Sequence, residues 1–251
     1  MIFPIEFKNN LGLTLCGYIH KPKKYDTAIV FLHGFPGTMH GTAARLLNII
    51  SKKEFLCLRF NFSGTDTSEG KFEQKHMGQE VKDIKYAINF LEKNYSFKKI
   101  ILIGISTGAI DASLYAYKDK RISKVILLSA VSDLKHAARY DFTDRQIHQF
   151  WKKGYIIYGP GKWFGRKRLN KSFYDEFFTL DIPKAIKKYH RPLLIVHGSK
   201  DESVPVWNAK ELFRIANHPK KLVIIKNSDH RFSKKIHQMQ LLWHIYRFIR
   251  K

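Results

Sequence analysis

A serine in the segment GISTG, Ser106, has the sequence context of a nucleophile. Glycines stand two residues to either side of it, and the segment lies between a strand-like run, 99–105, and a stretch of helical character. On a sharp strand-to-helix turn the backbone around such a serine is strained, and the glycines let strand and helix approach without Cβ clashes. The turn lifts the hydroxyl above the sheet, beside the free N–H groups of the helix N-terminus. We therefore predict that Ser106 is a nucleophile.

A serine hydroxyl needs a base to take its proton, and His230 has the position that this role requires. It follows the last strand-like run, in the segment KNSDHRF, and comes after the serine in the chain order serine, acid, histidine. Other histidines precede a glycine at a strand end, where an imidazole fixes loop backbone, or lie on the predicted last helix: His33, His197, His237 and His244. We predict that His230 is the base.

A carboxylate must hold the base in the correct tautomer, and three aspartates come into question. Asp201 lies just beyond a predicted strand, in HGSKDESVPV, and its loop adjoins the His230 loop in a parallel sheet of this order. Asp133 follows the preceding strand and is the main competitor. Asp229 is adjacent to the base in sequence, and neighbouring side chains seldom form the hydrogen bond that a triad requires. We favour Asp201 and leave Asp133 open.

The tetrahedral intermediate of acyl transfer carries an oxyanion, which backbone N–H groups stabilise. The N–H of Thr107, directly after the serine, is one candidate donor. The loop HGFPGT after the predicted strand 27–33 supplies the N–H of Phe35, because the following proline, Pro36, has none. Phe35 and Thr107 are the predicted oxyanion donors.

The elements that must position these residues follow from hydrophobic periodicity. Residues 2–20 alternate apolar and polar around NNLG, which predicts a β-hairpin. Further strands are predicted at 27–33, 55–62, 99–105, 125–131, 192–197 and 222–226. Helices are predicted at 42–53, 76–94, 107–117, 206–216 and 233–250. Strands that are apolar on both faces and alternate with amphipathic helices predict a three-layer α/β fold with a mostly parallel sheet, whose active site lies at the carboxyl ends of the strands.

The alternation stops between residues 133 and 180. This segment holds twelve aromatic residues, ten Lys and Arg, and five Asp and Glu. Long structureless loops are uncommon in compact domains, so we expect these aromatics to pack over the carboxyl edge of the sheet. The chain then divides into an α/β core, 1–132 and 181–251, and a lid, 133–180. The aromatic residues predicted to contact substrate are Trp151, Tyr155, Tyr158, Trp163 and Phe164. We expect removal of 149–171 to spare the hydrolysis of small esters and to erase preference among large ones.

Lys and Arg number 45 against 21 Asp and Glu, which gives a formal net charge of +24. A surface this basic attracts polyanions. The basic residues are spread along the whole chain, however, and no nucleic-acid-binding motif accompanies them. We therefore expect no specific nucleic acid as a partner. We interpret the basic residues as a solvated surface. The C-terminal stretch is basic and amphipathic, a composition that would also suit contact with anionic lipid. Because the fold needs a covering helix there, we expect its apolar residues Ile236, Leu242 and Phe248 to pack on the sheet.

Two cysteines exclude a disulfide framework, and the N-terminal residues lack the pattern of a secretory signal, so we expect a cytoplasmic protein. No apolar run reaches the ~18 residues that span a bilayer, and no transmembrane segment is predicted. No Cys/His cluster has metal-ligand spacing, and the serine segment lacks the lysine of a phosphate-binding loop. Neither a metal nor another cofactor is expected.

The segments HGFPG, GISTG, HGSKDESVP and SDHRF, in this order and spacing, resemble the α/β-hydrolase family across essentially the whole chain. The resemblance implies an eight-stranded sheet and a triad of Ser106, Asp201 and His230. The N-terminal hairpin, the loop RFNFSGTDTSEG and the insertion after residue 131 are similar to those of bacterial carboxylesterases that include cinnamoyl (feruloyl) esterases. In those enzymes the insertion shapes the acyl pocket.

These residues together predict a serine hydrolase that cleaves esters of small or aromatic acyl groups through an acyl-enzyme, with a small-molecule ester as its partner. Two alternatives keep the triad and change the leaving group: an acyl-CoA-type thioesterase, which would suit the basic lid, and a serine aminopeptidase, which would suit a carboxylate in the pocket. A third is a binding module for polyanions, which would have no need of nucleophile, base and acid together. The sequence leaves the oligomeric state open.

Overall fold

The fold is built on a sheet whose strands alternate along the chain with helices. The structure of the protein, a computed structural model, describes residues 1–41, 46, 49–50, 54–159 and 165–251. The strands of this part of the chain are β1 (Ile2–Lys8), β2 (Thr14–His20), β3 (Thr27–Leu32), β4 (Phe55–Phe60), β5 (Lys99–Ile105), β6 (Ile122–Leu128), β7 (Tyr155–Tyr158), β8 (Lys167–Asn170), β9 (Leu193–Gly198) and β10 (Lys220–Ile225).

Eight of these strands form one sheet in the order β1-β2-β4-β3-β5-β6-β9-β10. β2 pairs antiparallel with both β1 and β4, and the remaining pairs are parallel. The carboxyl ends of the parallel strands therefore meet at one edge, which is where sheets of this type bind their ligands. The arrangement confirms the prediction of a mostly parallel sheet preceded by an antiparallel hairpin.

Helices cover both faces of the sheet. Within the described residues they are α1 (Met77–Asn94), α2 (Thr107–Ala116), α3 (Leu134–Asp141), α4 (Asp144–Lys153), α5 (Lys171–Thr179), α6 (Ile182–Lys187), α7 (Trp207–Ile215) and α8 (Lys235–Arg250), with a short 3₁₀ helix at Phe72–Gln74. None of these is both long enough and apolar enough to cross a membrane.

The side chains of β3 show how the sheet separates two apolar layers. Ala28, Val30 and Leu32 pack in the layer that contains α1, α2 and α7, whereas Ile29 and Phe31 pack in the layer that contains α8. Successive side chains of a strand point to opposite faces, so a strand buried on both faces must be apolar at every position. This is why the strand reads, after Thr27, as the unbroken apolar run AIVFL.

Two predicted strands end earlier than expected. The strand predicted at 55–62 ends at Phe60, because the Asn61 side chain accepts the Met39 N–H (2.9 Å) and its carbonyl accepts the Ser68 hydroxyl (2.7 Å), which turns the chain away. The strand predicted at 125–131 is β6, which ends at Leu128 because Ser129 has a φ of 47°. The helix predicted at 42–53 falls largely on residues outside the described ones.

The C-terminal helix α8 corrects one expectation. A stripe of side chains spaced by four residues is buried: His237, Leu241, Ile245 and Ile249. Leu242 and Phe248 are partly buried against the same layer. Ile236, however, is 56% exposed. It precedes His237 by one residue and so lies ~100° around the helix from the buried stripe.

Residues 133–180 are not a bare loop: they contain α3, α4, the strands β7 and β8, and α5. β7 and β8 pair antiparallel as a separate two-stranded ribbon, with Tyr158 opposite Lys167. Gly154 ends α4 with a φ of 74°, which a residue without a Cβ adopts at little cost. The helices and the ribbon explain how the segment orders its many aromatic residues.

A buried polar cluster lies between α1 and α2, behind the serine turn. The Lys75 ammonium contacts the Glu80 carboxylate at 2.5 Å and donates to the Thr65 hydroxyl at 2.6 Å. Asp111, fully buried on α2, lies beside Glu80; burial, and then the nearby Glu80 charge, raise the pKa of Asp111 well above its usual range. The raised pKa favours the neutral form of Asp111, and Lys75 is the cation that compensates Glu80.

We expect Lys75→Met to lower the free energy of unfolding by about 3–5 kcal/mol, because it leaves Glu80 as an uncompensated buried charge. The matched control is Arg214→Met, which breaks the exposed ion pair between Arg214 and Glu211 and should change the free energy of unfolding little, because solvent screens that pair. Urea denaturation of both variants measures the difference. Equal losses in the two variants would show that the buried cluster does not hold a compensated charge.

Candidate active site

Ser106 lies on a strained turn between β5 and α2, with φ 56° and ψ −122°. A Cβ added at Gly104 would lie 2.1 Å from the carbonyl oxygen of Gly108, and one added at Gly108 would lie 2.3 Å from that of Leu32. Both contacts are with backbone, which cannot move aside, so both positions require glycine. The G-x-S-x-G spacing thus follows from how closely β5, α2 and β3 approach at this turn.

The structure brings the predicted acid and base together. Nδ1 of His230 lies 2.8 Å from Oδ2 and 3.0 Å from Oδ1 of Asp201. Asp201 follows β9 and His230 follows β10, and these two strands are parallel neighbours whose carboxyl ends meet. A carboxylate at this distance from Nδ1 holds the proton on that nitrogen and leaves Nε2 free to act as a base.

Asp201 is held in its charged form by the N–H groups and imidazoles around it. Burial alone would raise its pKa, but hydrogen bonds from His197 and His230, the charge of His230 and the Val204 N–H hold the pKa well below its usual range. The N–H groups of Ser203 and Val204 donate to Oδ1 at 3.0 and 2.8 Å, and Nε2 of His197 lies 3.1 Å from Oδ2. The carboxylate therefore stays ionised and fixed in orientation toward the imidazole.

The two competing aspartates have other partners. Asp133 is the N-cap of α3, where its side chain accepts the N–H of His136 at 3.0 Å. Asp229 accepts the N–H of Ser233 at 2.8 Å in the loop that leads to α8. The structure thus pairs the imidazole of His230 with Asp201, the aspartate that the sequence analysis favours.

His33 fixes the loop that carries Phe35. Its Nε2 accepts the N–H of Phe62 at 3.3 Å, so its Nδ1 carries the proton and donates to the Gly34 carbonyl at 3.1 Å. Burial, reinforced by the charge of Lys75, lowers the pKa of His33 to about 3, which keeps the ring neutral. The segment HGF is thereby held against the serine turn.

The N–H groups of Phe35 and Thr107 donate to no acceptor within the described part of the chain. An added Cβ on Gly34, the residue before Phe35, would lie 2.9 Å from Cβ of Ser106, so this loop runs directly beside the serine. Phe35 and Thr107 both line the cavity that contains the serine. Their role as oxyanion donors remains a prediction.

A cavity of about 380 Å³ opens at the carboxyl edge of the sheet, and both Ser106 and His230 line it. Its volume lies in the range of small-molecule sites. One wall comes from the loop after β3 and another from the segment 203–208. A third part of the lining comes from α3, together with Phe177 of α5, and its α3 residues are Leu134, His136, Ala137, Tyr140 and Asp141.

The structure corrects the expectation that Trp151 and Tyr155 contact substrate, because neither lines this cavity. Trp151 is 69% exposed on α4, and the Lys171 ammonium lies 4.0 Å from its ring centroid. Tyr155 stacks against the guanidinium of Arg168, also at 4.0 Å. The buried side chains of these elements are the neighbouring residues, Phe150 on α4 and Ile156 on β7, so periodicity turns Trp151 and Tyr155 outward.

Tyr158 lies closer to the cavity without lining it. Its ring centroid is 5.1 Å from that of Phe35, and burial, together with the nearby Asp141, raises the pKa of Tyr158 to about 12. Tyr158 therefore packs against Phe35 and supports the loop after β3. The other two aromatics predicted to contact substrate, Trp163 and Phe164, lie outside the described residues.

Removal of 149–171 is a poor test of the lid, contrary to the sequence-based expectation. Phe150, Ile156 and Leu169 are each at most 1% exposed and belong to the same apolar layer as α1 and α2. Their loss would expose that layer to water. Point substitutions in the cavity wall are the sounder experiment.

Asp141, at the end of α3, is a cavity residue that sequence reasoning missed. It has no hydrogen bond or ion pair with another described residue. Desolvation by the surrounding protein raises the pKa of Asp141 to about 6, and the charge of His230 opposes the rise. The signal that could have identified α3 is its position, since it begins at the carboxyl end of β6, the edge where the site lies.

The arrangement can carry out acyl transfer: a serine on a strained turn, an imidazole oriented by an ionised carboxylate, and two backbone donors beside a cavity. In the described part of the chain, no group of three or more His, Cys, Asp or Glu side chains is placed to hold a metal ion.

Comparisons with known proteins agree with this fold. The family described as alpha/beta hydrolase fold matches residues 27–168. The chain is 26% identical to the mitochondrial palmitoyl-protein thioesterase ABHD10 of Homo sapiens over 95% of its own length and 77% of that protein. It is 24% identical to the polyketide transferase ATR5 of Stachybotrys chlorohalonatus over 90% of its own length and 89% of that protein.

Among solved structures, the chain is similar to Est1E of Butyrivibrio proteoclasticus with ferulic acid bound. The TM-score is 0.82 at 22% identity, and the match covers 98% of this chain and all of that one. The esterase Pf2001 of Pyrococcus furiosus matches with a TM-score of 0.76 at 19% identity, over the whole of this chain and 90% of that one. At these identities the likeness shows a shared fold.

Proposed function

The chain belongs to the alpha/beta hydrolase fold family, and on that premise we propose that it is a serine esterase acting on small or aromatic acyl esters. The observation that carries the proposal is the His230–Asp201 pair beside Ser106 at one cavity. Esters with a small alcohol leaving group match a cavity of about 380 Å³ that lies open to solvent.

In this mechanism Nε2 of His230 takes the hydroxyl proton while Oγ of Ser106 attacks the ester carbonyl. The N–H groups of Phe35 and Thr107 stabilise the oxyanion. His230 then gives its proton to the departing alcohol, which leaves the acyl group on Ser106. A water molecule, deprotonated by His230, attacks this acyl-enzyme. As the bond between the acyl carbon and Oγ of Ser106 breaks, His230 returns the proton to Oγ, which releases the acid and regenerates the free serine.

An aromatic acyl group with a phenolic hydroxyl suits the part of the cavity that α3 and Phe177 line. Phe177, Leu134 and Tyr140 offer apolar and aromatic surface, and Asp141 offers an acceptor without a partner among the described residues. A phenol is a hydrogen-bond donor, and a site built to accept its hydrogen bond disfavours the analogue that lacks the donor. The likeness to Est1E with ferulic acid bound agrees with such a substrate. Residues 133–180 then act as the lid that selects the acyl group.

We expect Asp141→Asn to lower the preference for methyl ferulate over methyl cinnamate by about tenfold, because these esters differ in the ring substituents that reach that part of the cavity. The ratio of kcat/KM for the two esters measures the preference. Asp133→Asn is the matched control, because it changes the other carboxylate of the wall while asparagine still caps α3. A ratio that is unchanged in Asp141→Asn, or changed equally in both variants, would exclude a role for Asp141 in acyl recognition.

A thioesterase is the second candidate, since a relative that aligns over 95% of this chain is named a palmitoyl-protein thioesterase. A panel of p-nitrophenyl esters of rising chain length, methyl ferulate, an acyl-CoA and an aminoacyl anilide separates the candidates. The proposal requires the highest kcat/KM on an oxygen ester. A preference for the acyl-CoA would identify a thioesterase, and a preference for the anilide would identify an aminopeptidase that pairs a substrate amine with Asp141.

A further inference from the structure

The C-terminal helix α8 has a second apolar face, which the core does not cover. Opposite the stripe that packs on the sheet, Ile236 is 56%, Met239 60% and Trp243 53% exposed. These residues follow one another at spacings of three and four, so they form one continuous strip along the helix surface. An exposed apolar strip of this kind marks an interaction surface.

Basic side chains lie at the two ends of this strip, Lys235 beside Ile236 and the arginines beyond Trp243. Lys235, Arg247 and Arg250 are exposed on the same side of α8, and the Arg247 guanidinium lies 4.5 Å from the centroid of the Trp243 ring. Residues 231–251 contain six Lys and Arg and no Asp or Glu. The carboxylate of Glu54, which lies outside the helix, interacts electrostatically with Arg250 and offsets part of the positive charge of residues 231–251.

We propose that this strip, Ile236, Met239 and Trp243 with its basic border, docks the protein on a membrane surface of anionic lipids. A helix that lies in the plane of a bilayer places Trp and aliphatic side chains below the headgroups and Lys and Arg among them. The strip supplies the tryptophan and the aliphatic side chains, and its border supplies the Lys and Arg side chains. A net charge of +24 attracts the whole protein to the same surface.

The charge distribution also distinguishes a bilayer from other occupants. In a pair of copies joined through α8, the positive groups of one strip would face those of the other, with no carboxylate on either helix to compensate them. A nucleic acid would pair with the basic border and leave Ile236 and Met239 without an apolar partner. An anionic bilayer supplies both the negative charge and the apolar layer.

The test is co-sedimentation of the full chain with phosphatidylcholine vesicles that contain or lack phosphatidylserine. We expect binding to the anionic vesicles that weakens as salt is raised, and little binding to the neutral ones. Removal of Lys235, Arg247 and Arg250, each replaced by Gln, should weaken binding roughly a hundredfold, at roughly fivefold for each charge. The matched control replaces Lys82, Lys85 and Lys93, exposed on α1 across the sheet, by Gln and should change binding little.

The apolar part of the strip has its own control. Trp243→Gln should weaken vesicle binding about tenfold or more, whereas Trp151→Gln, which removes another exposed tryptophan beside a basic side chain, should leave it unchanged. Equal losses in the two triple variants would assign the binding to overall charge and overturn the proposal. Absence of vesicle binding would overturn it too, as would a dimer in sedimentation velocity that Trp243→Gln dissociates.

Discussion

Replacement of Ser106 by alanine is expected to reduce ester hydrolysis by about 10⁶-fold while the protein stays folded. The loss is this large because nucleophile, base and acid act as a unit, so the remaining two groups have nothing to activate. The residual rate of hydrolysis in the variant comes from the oxyanion donors and from substrate binding. The measurement is kcat for p-nitrophenyl acetate with the variant and the parent protein at equal concentration.

The control for this variant is Ser172→Ala, which removes an exposed serine of α5 outside the cavity. Circular dichroism and urea denaturation establish that both variants retain the fold. Substantial hydrolysis by the folded Ser106→Ala protein would exclude a covalent serine mechanism.

Asp201→Asn should lower kcat by about 10⁴-fold. An asparagine has nearly the same shape and can still accept the N–H groups of Ser203 and Val204, so the loop should keep its geometry. Its amide nitrogen, however, would donate to Nδ1 of His230, which forces the proton onto Nε2 and blocks the base. The measurement is kcat of Asp201→Asn and of the parent protein, determined as a function of pH.

Two neighbouring aspartates provide matched controls for this substitution. Asp133→Asn and Asp229→Asn make the same chemical change in residues that cap the start of α3 and the turn before α8. Both should retain most of the activity. If Asp133→Asn were the more damaging variant, the acid would have to be reassigned to the loop after β6.

The sheet and the motif positions could be predicted from the sequence because the physical constraints on them are local. Strands buried on both faces must be apolar throughout, and Gly104 and Gly108 stand where any Cβ would meet backbone. The resemblance to the alpha/beta hydrolase family, drawn from four short segments, is confirmed by the family match and by the fold.

The lid could not be predicted in the same detail, because composition does not specify which side of an element faces the cavity. Trp151 and Tyr155 are large aromatics in the right segment, but their neighbours Phe150 and Ile156 occupy the buried positions. Asp141 was missed for the opposite reason: a single acidic residue at the end of a helix is usually solvated, and only the packing of α3 over the cavity makes it a candidate for binding.

The C-terminal helix shows the same limit. Its sequence is apolar at so many positions that two of its faces could pack on the sheet. Periodicity alone does not show which of the two is buried. The structure buries the stripe through Leu241 and Ile245 and leaves Ile236 and Trp243 exposed. The choice depends on the shape of the sheet surface, which no single segment encodes.

The most direct test of the central claim is mass spectrometry of the protein after reaction with an organophosphonate, followed by peptide mapping. We expect one added phosphonyl group, located on Ser106, and no addition to Ser106→Ala. We also expect slower labelling of Asp201→Asn, because the base is then impaired. Labelling of another serine, or labelling that persists in Ser106→Ala, would contradict the assignment of Ser106 as the nucleophile.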